Sequence, residues 1–208
     1  MKLYLASKHV QFPDELAALV GKDPELANVK LVANAFDNYP VDRREMHVAN
    51  LLASLKVPGW NPSMLDLREY FGKSEALQAE LVNTDLLWIS GGNVFYLRYV
   101  LKQCGLDDLL AQLIGSGMVY GGDSAGAAIL GPDLHGFELL DDASEAPEVL
   151  YDGLGITPFM ILPHWGNERY ADEIANCRKI LEVHNSEIVA ISDEQACIVN
   201  DSQRQILG

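Results

Sequence analysis

The sequence predicts an α/β fold in which a mostly parallel sheet is sandwiched between helices. Short apolar runs alternate with amphipathic stretches from residue 3 onward, which is the pattern of successive strand–helix units. Several of those runs are apolar at every position rather than every second one, as in strands covered on both faces. Hydrophobic types make up 49% of the 208 residues and charged types 22%, enough apolar side chain to build a core and too much for a disordered chain.

Taken in order, residues 3–5 (LYL) read as the first strand. Pro13, Asp14 and Glu15 open a helix, because proline fits the first helical position and acids suit the positive end of the helix dipole. Residues 31–33 form the next strand. Val48, Leu51, Leu52 and Leu55 fall at i, i+3, i+4 and i+7 of a second helix, which Pro58–Gly59 ends. Residues 63–67 read as a strand, 74–82 as a helix, 86–89 (LLWI) as a buried strand and 94–104 as a helix. Residues 118–120 form a further strand, and 125–130 begin a helix. Residues 159–163 (FMILP) are a buried strand stopped by proline. Residues 187–192 are a strand, with 196–199 expected as its hairpin partner. The acid-rich, apolar-poor segment 141–148 is expected to be an exposed loop. No repeat, low-complexity tract or linker interrupts the chain. A break at that loop would leave about 60 residues, too few for a comfortable second core, so residues 1–208 are expected to be one domain.

Charge and composition exclude several functions. Thirty acidic residues against fifteen basic ones give a net charge of −15, which repels phosphate backbones, so nucleic acid is not an expected partner. The densest basic pair is Arg43–Arg44. The longest apolar run, Leu16 to Val20, is five residues, far short of the roughly 20 needed to span a membrane. The apolar stretch 3–6 is too short for a signal peptide. Cys104, Cys177 and Cys197 are far apart and odd in number, without metal-ligand spacing, and read as reduced packing residues of a cytoplasmic protein.

The most informative string is 119–128 (VYGGDSAGAA), which contains G-x-S-x-G as Gly122, Asp123, Ser124, Ala125 and Gly126. A strand precedes it and a helix start follows. That is the setting of a nucleophile elbow, a sharp turn that lifts a serine hydroxyl clear of the sheet. The serine then sits at a helix N-terminus, where backbone N–H groups favour an oxyanion. Its base is expected to be His164, which follows the buried strand 159–163. The end of a core strand in an open α/β sheet faces the crevice where ligands bind. His47 and His184 fall on helices amid polar neighbours and read as surface residues. A carboxylate at the turn Asp193–Glu194, after the strand 187–192, is placed to orient the imidazole. A second glycine pair, Gly91–Gly92, lies between a strand and a helix. The Gly92 N–H, with that of Ala125, would supply an oxyanion hole, and Asn93 is an N-cap candidate.

These strings together resemble the peptidase E family of serine peptidases, the α-aspartyl dipeptidases and the related cyanophycinases. The matching stretches are 90–97 (SGGNVFYL), 122–127 (GDSAGA), 154–159 (LGITPF) running to Pro163–His164, and 189–193 (VAISD). They occur in the same order and at similar spacing, and span about half the chain. The resemblance implies a class I glutamine-amidotransferase-like, flavodoxin-like sandwich. It further implies Ser124 as nucleophile, His164 as base and Asp193 as acid, with Glu194 in reserve, and Gly92 and Ala125 as the oxyanion hole. No metal or cofactor is expected. Asp123 stands where the family carries Trp or Thr, and the family's basic Gly-x-Thr-Arg-like stretch is replaced by 166–170 (GNERY). Arg169 is the remaining candidate for clamping a substrate carboxylate, and Asn93, Asp123 and Glu194 are further candidates for substrate contact. The expected substrate is a short peptide with a free N-terminus, and the sequence is compatible with a homo-oligomer. Two alternatives stay open at this point. One is an esterase of the α/β-hydrolase type, with an acid such as Asp133, Asp141 or Asp152 and with His184 as base. The other is a non-catalytic binding protein on the same fold.

Overall fold

The parallel strands of the central sheet all deliver their carboxyl ends to one edge, and that edge carries the site. The computed structural model describes residues 1–184 and 186–208. The strands are β1 (Lys2–Ala6), β2 (Val29–Val32), β3 (Ser63–Met64), β4 (Leu86–Ile89), β5 (Val119–Asp123), β6 (Phe159–Leu162), β7 (Glu187–Ala190), β8 (Ala196–Asn200) and β9 (Gln203–Leu207). The helices are α1 (Pro13–Val20), α2 (Val41–Lys56), α3 (Ser74–Leu81), α4 (Val94–Cys104), α5 (Leu106–Gly115), α6 (Ala125–Ala128) and α7 (Ala171–Val183). Seven strands form the main sheet in the order β3-β2-β4-β5-β1-β8-β9. The first five run parallel, β8 pairs antiparallel with β1, and β9 pairs antiparallel with β8. Strands β6 and β7 form a separate parallel pair.

The two-residue period of a strand explains why its apolar runs are unbroken. In β1, Leu3 and Leu5 join the larger hydrophobic cluster, while Tyr4 and Ala6 join the smaller one on the opposite face. In β4, Leu87 and Ile89 face the first cluster and Leu86 and Trp88 the second. Helices α3, α4 and α5 cover the first face with Leu77, Leu97, Leu101 and Leu110; α1 and α2 cover the other with Leu16, Leu19, Leu51 and Leu55. The helix boundaries follow local chemistry. Pro13 occupies the first turn of α1, and Gly21 closes it in the left-handed conformation. Asn93 caps α4 by accepting from the Phe95 and Tyr96 amides.

Three expectations are corrected. Segment 196–199 is not the hairpin partner of 187–192. It lies in β8, hydrogen-bonded antiparallel to β1 in the main sheet and not to β7. Its apolar residues Ala196, Cys197 and Val199 are buried, and two such runs separated by a short turn look like a hairpin whichever strand they join. The strand at 63–67 shrinks to Ser63–Met64, because Asp66 caps a 3₁₀ turn over Leu67–Tyr70. Segment 141–148 is only partly exposed. The Asp141 carboxylate accepts from the Val94 amide at 2.9 Å, and Glu145 accepts from Asn93 Nδ2 at 3.0 Å, so the acids pin this loop to the start of α4. Cys104, Cys177 and Cys197 are buried and free, and burial raises each thiol to about 11, 12 and 11 respectively, which makes them inert. Among the described residues no helix is long and apolar enough to cross a membrane.

Candidate active site

Ser124 follows β5 directly and opens α6. Its φ of 50° and ψ of −113° lie outside the ordinary regions for a residue with a side chain, the strained turn expected of an elbow. The strain is held from both sides. The Ser124 amide donates to the Ala6 carbonyl at 3.1 Å, and its own carbonyl accepts from the Ala127 and Ala128 amides. The short helix can pack this close only because residue 126 is glycine, since a Cβ there would stand 2.0 Å from the Ile89 carbonyl oxygen.

His164 follows β6 and also has positive φ, 62°. Its Nε2 lies 3.0 Å from Ser124 Oγ, and its Nδ1 lies 2.6 Å from Asp193 Oδ1. With Nδ1 protonated toward the carboxylate, Nε2 is the acceptor facing the serine. Asp193 follows β7, the strand paired with β6, so the register of that pair brings the two residues together. Burial works to raise the Asp193 carboxyl, but hydrogen bonds from His164, Ser7 and Asn167 outweigh it and hold the group below the usual carboxylate range.

Ser7 is a component that sequence reasoning missed. It is fully buried at the end of β1. Its hydroxyl donates to Asp193 Oδ1 at 2.9 Å and accepts from the His164 backbone amide at 2.7 Å. One hydroxyl thus bridges the histidine's backbone and the acid's side chain. Asn167 Nδ2 donates to the other carboxylate oxygen at 3.1 Å, and Gln11 Nε2 donates to the Asp193 carbonyl at 2.7 Å. A serine after a first strand has no distinctive spacing. The usable signal was topological, since β1 neighbours β5 and must end on the same edge.

The remaining expected residues divide. Gly92, at φ 130°, is excluded from carrying a side chain, because a Cβ would meet the Ala35 carbonyl oxygen at 2.3 Å. It lines the same cavity as Ser124 and Ala125. Among the described residues, neither the Gly92 nor the Ala125 amide donates to another protein group. Asp123 also lines the cavity. Burial pushes its carboxyl above the usual range, opposed by the hydrogen bond from Trp88 Nε1 at 2.9 Å. Arg169 is exposed at the rim with its guanidinium 5.1 Å from the Tyr170 ring centroid. Two candidates are not brought to the cavity. Asn93 is buried and consumed by capping α4 and by bonds to the Asp142 carbonyl and Glu145. Glu194 is turned to Ser192 Oγ at 3.0 Å. His47, expected as a plain surface residue, lines the cavity, stacked on Phe36 with ring centroids 4.7 Å apart. Burial and then the nearby Arg43 hold its imidazole below the ordinary value.

The cavity has a volume of about 380 Å³, within the range of small-ligand sites. Among the described residues, Lys8, Arg43 and Arg169 border it without forming a salt bridge to any carboxylate.

A doubly covered, mostly parallel sheet with a serine elbow, a histidine and an aspartate joined at its carboxyl edge defines an α/β protein with a serine-hydrolase-type constellation. The chain belongs to peptidase family S51, whose sequence profile it matches over residues 16–207. It is 33% identical over 132 residues to the uncharacterized peptidase Lin0382 of Listeria innocua, an alignment covering 61% of each chain. It is 29% identical over 169 residues to a peptidase E of a Shewanella species, covering 78% of this chain and 70% of the relative. The alignments to Lin0382 and to the Pasteurella multocida peptidase PM1590 span only 61% and 62% of those relatives' own length. The fold matches the crystal structure of a protein from Listeria monocytogenes EGD-e, provisionally described as a peptidase E. That match has a TM-score of 0.84 and 24% identity, covering 99% of this chain and 97% of the other.

Proposed function

We propose that the protein is a serine-type peptidase that hydrolyses short peptides through an acyl-enzyme, with residues 1–208 acting as one catalytic unit. The observation that carries this reading is the continuous run from Ser124 Oγ through the His164 imidazole to Asp193 at 3.0 and 2.6 Å, within one cavity. Ser124 attacks the scissile carbonyl as His164 Nε2 takes its proton. Asp193 keeps Nδ1 protonated and stabilises the imidazolium. The Gly92 and Ala125 amides receive the negative charge that develops on the carbonyl oxygen. The imidazolium then protonates the leaving amine, and a water activated by the same histidine releases the acid.

The esterase alternative needs another base or acid. Here the position beside His164 Nδ1 is taken by Asp193, and His184 contacts Asp133 outside the cavity. The volume fits a dipeptide-sized ligand, and the unpaired cations Lys8, Arg43 and Arg169 favour a substrate with free carboxylates. Buried, unreactive cysteines fit a reducing cytoplasm.

Hydrolysis of X–Leu dipeptides by wild type and Ser124→Ala, together with fluorophosphonate labelling, tests the reading. Expected are turnover and a single label in wild type, both lost in Ser124→Ala. A folded wild type that neither turns over any dipeptide nor takes the label would leave the chain a non-catalytic binding protein. Equal turnover of N-acetylated dipeptides would overturn the free N-terminus.

A further inference from the structure

Asp133, His135 and His184 converge on the surface away from the Ser124 cavity, and neither the proposed chemistry nor the family likeness uses them. Asp133 and His135 lie in the segment after α6, and His184 caps the end of α7. Each imidazole brings its Nδ1 to a different oxygen of one carboxylate. His135 Nδ1 is 2.6 Å from Asp133 Oδ1, and His184 Nδ1 is 2.8 Å from Oδ2. The two rings are 4.5 Å apart, and the potential donor atoms of the three residues all lie within 4.8 Å of one another.

We infer that this trio is a binding site for a borderline transition-metal dication such as Zn²⁺, held between the two imidazoles and the Asp133 carboxylate. Four observations support it. Among the described residues the Asp133 Oδ2 atom is buried and accepts no hydrogen bond, although His184 Nδ1 lies 2.8 Å away. A buried carboxylate oxygen without a partner is costly, and a cation in the mouth of the carboxylate would satisfy it. The donor set is two nitrogens and a carboxylate, which suits zinc or copper rather than magnesium or calcium. Zinc takes such ligands at about 2.0–2.2 Å in a tetrahedron, which sets them about 3.4 Å apart, so side-chain rotation must widen each nitrogen–oxygen gap by about 0.6–0.8 Å.

The ligands are also held in place from outside, as metal ligands usually are. The His135 ring stacks on Tyr151 at 4.5 Å between centroids, and its backbone amide donates to Asp133 Oδ1 at 3.0 Å. The Leu134 amide donates to the Tyr151 carbonyl at 2.7 Å, and the Gly153 amide donates to the Pro132 carbonyl at 3.1 Å. Both histidine side chains remain partly exposed, 42% and 37%, which leaves an entry path and room for water to complete the coordination. A bound ion would tie the segment after the nucleophile helix to the end of α7. Sequence alone hides the site, because His184 is 49 residues from His135 and lies across the fold.

The test is titration of the full-length, chelator-stripped protein with ZnCl₂, read by calorimetry and by thermal unfolding. Expected is one equivalent bound with a raised unfolding midpoint, and affinity at least tenfold weaker in both His135→Ala and His184→Ala. His164→Ala should bind as wild type does, which separates this site from the Ser124 cavity. MgCl₂ should give no comparable shift. Wild type that binds no zinc would overturn the proposal. So would binding that survives His135→Ala and His184→Ala unchanged, or that disappears in His164→Ala. Dipeptide turnover is not a readout here, so the outcome is independent of the proposed peptidase chemistry.

Discussion

At the scale of single residues, the site depends on side chains that each do one identifiable thing. Replacing Ser124 with alanine removes the oxygen that faces His164 Nε2 in the proposed chemistry, so kcat should fall by about 10⁴-fold or more in a dipeptide assay, with the fold intact by circular dichroism. Ser7→Ala is a subtler change. It deletes the donor to Asp193 and the acceptor of the His164 amide while leaving all three reacting groups in place. A hydrogen bond to a charged group is worth about 1.5–3 kcal/mol, so kcat should drop about ten- to hundredfold with KM nearly unchanged. A KM effect of the same size would mean that Ser7 shapes the cavity instead. Asp193 also links folding to pH. Its carboxyl is depressed in the folded protein, so it stabilises the fold above the ordinary aspartate value, near 3.9. That contribution is lost as pH falls through the depressed value. Asp193→Asn should flatten that acid limb in denaturant titrations. The meeting of Ser124 and His164 was legible in the sequence because a G-x-S-x-G turn and a histidine stood at the ends of apolar strands. Ser7 was not, since its role depends on which strand neighbours which.

At the scale of elements, two loops set the geometry. The turn between β4 and α4 exists in its present path only because residue 92 has no side chain. Gly92→Ala would need positive φ and a Cβ pressed on the Ala35 carbonyl. It should lower stability by about 1–3 kcal/mol and reduce turnover beyond that loss, measured by urea melts alongside kinetics. The loop at 141–148 carries a different signature. Burial raises the Asp141 carboxyl to about 7, against the opposing Val94 amide bond and with Glu145 adding to the rise. The folded state therefore binds a proton that the unfolded chain has already lost between about pH 4 and 7, and stability falls as pH rises through that window. Asp141→Asn keeps an acceptor for Val94 and removes the ionisation. It should gain stability relative to wild type on moving from pH 5 to pH 8. Composition marked this segment as acidic but not as structural, because a pattern of charges does not say which one a helix N-terminus will take up. The strands 86–89 and 159–162 were readable from their apolar runs. The pairing of 196–199 was not, because pairing is decided by topology rather than by the run itself.

At the scale of the whole molecule, a chain of net charge −15 borders its cavity with three cations that form no salt bridge among the described residues. In the proposed function these side chains would receive substrate carboxylates, an attraction that salt weakens. Turnover of a dipeptide rich in carboxylates should fall as salt rises from about 10 to 300 mM, since screening shortens to a few ångströms, while a neutral dipeptide changes little. Arg43→Gln with Arg169→Gln should raise KM for the acidic dipeptide about tenfold and abolish the salt effect. An unchanged KM would remove the rim from substrate recognition. The fold class followed from strand–helix alternation, because that pattern is a property of the entire chain.

The seven-stranded sheet ends in the serine, whereas the detached pair β6–β7 presents the imidazole and the carboxylate. The proposed catalytic assembly is therefore shared by two sheets, and at the site they are joined by the Ser7 hydroxyl at the end of β1 and by the Gln11 side chain. Such a machine has a built-in fuse. Mild denaturant that loosens this junction by an ångström would silence turnover while the circular dichroism of both sheets stayed unchanged, so inactivation should precede unfolding.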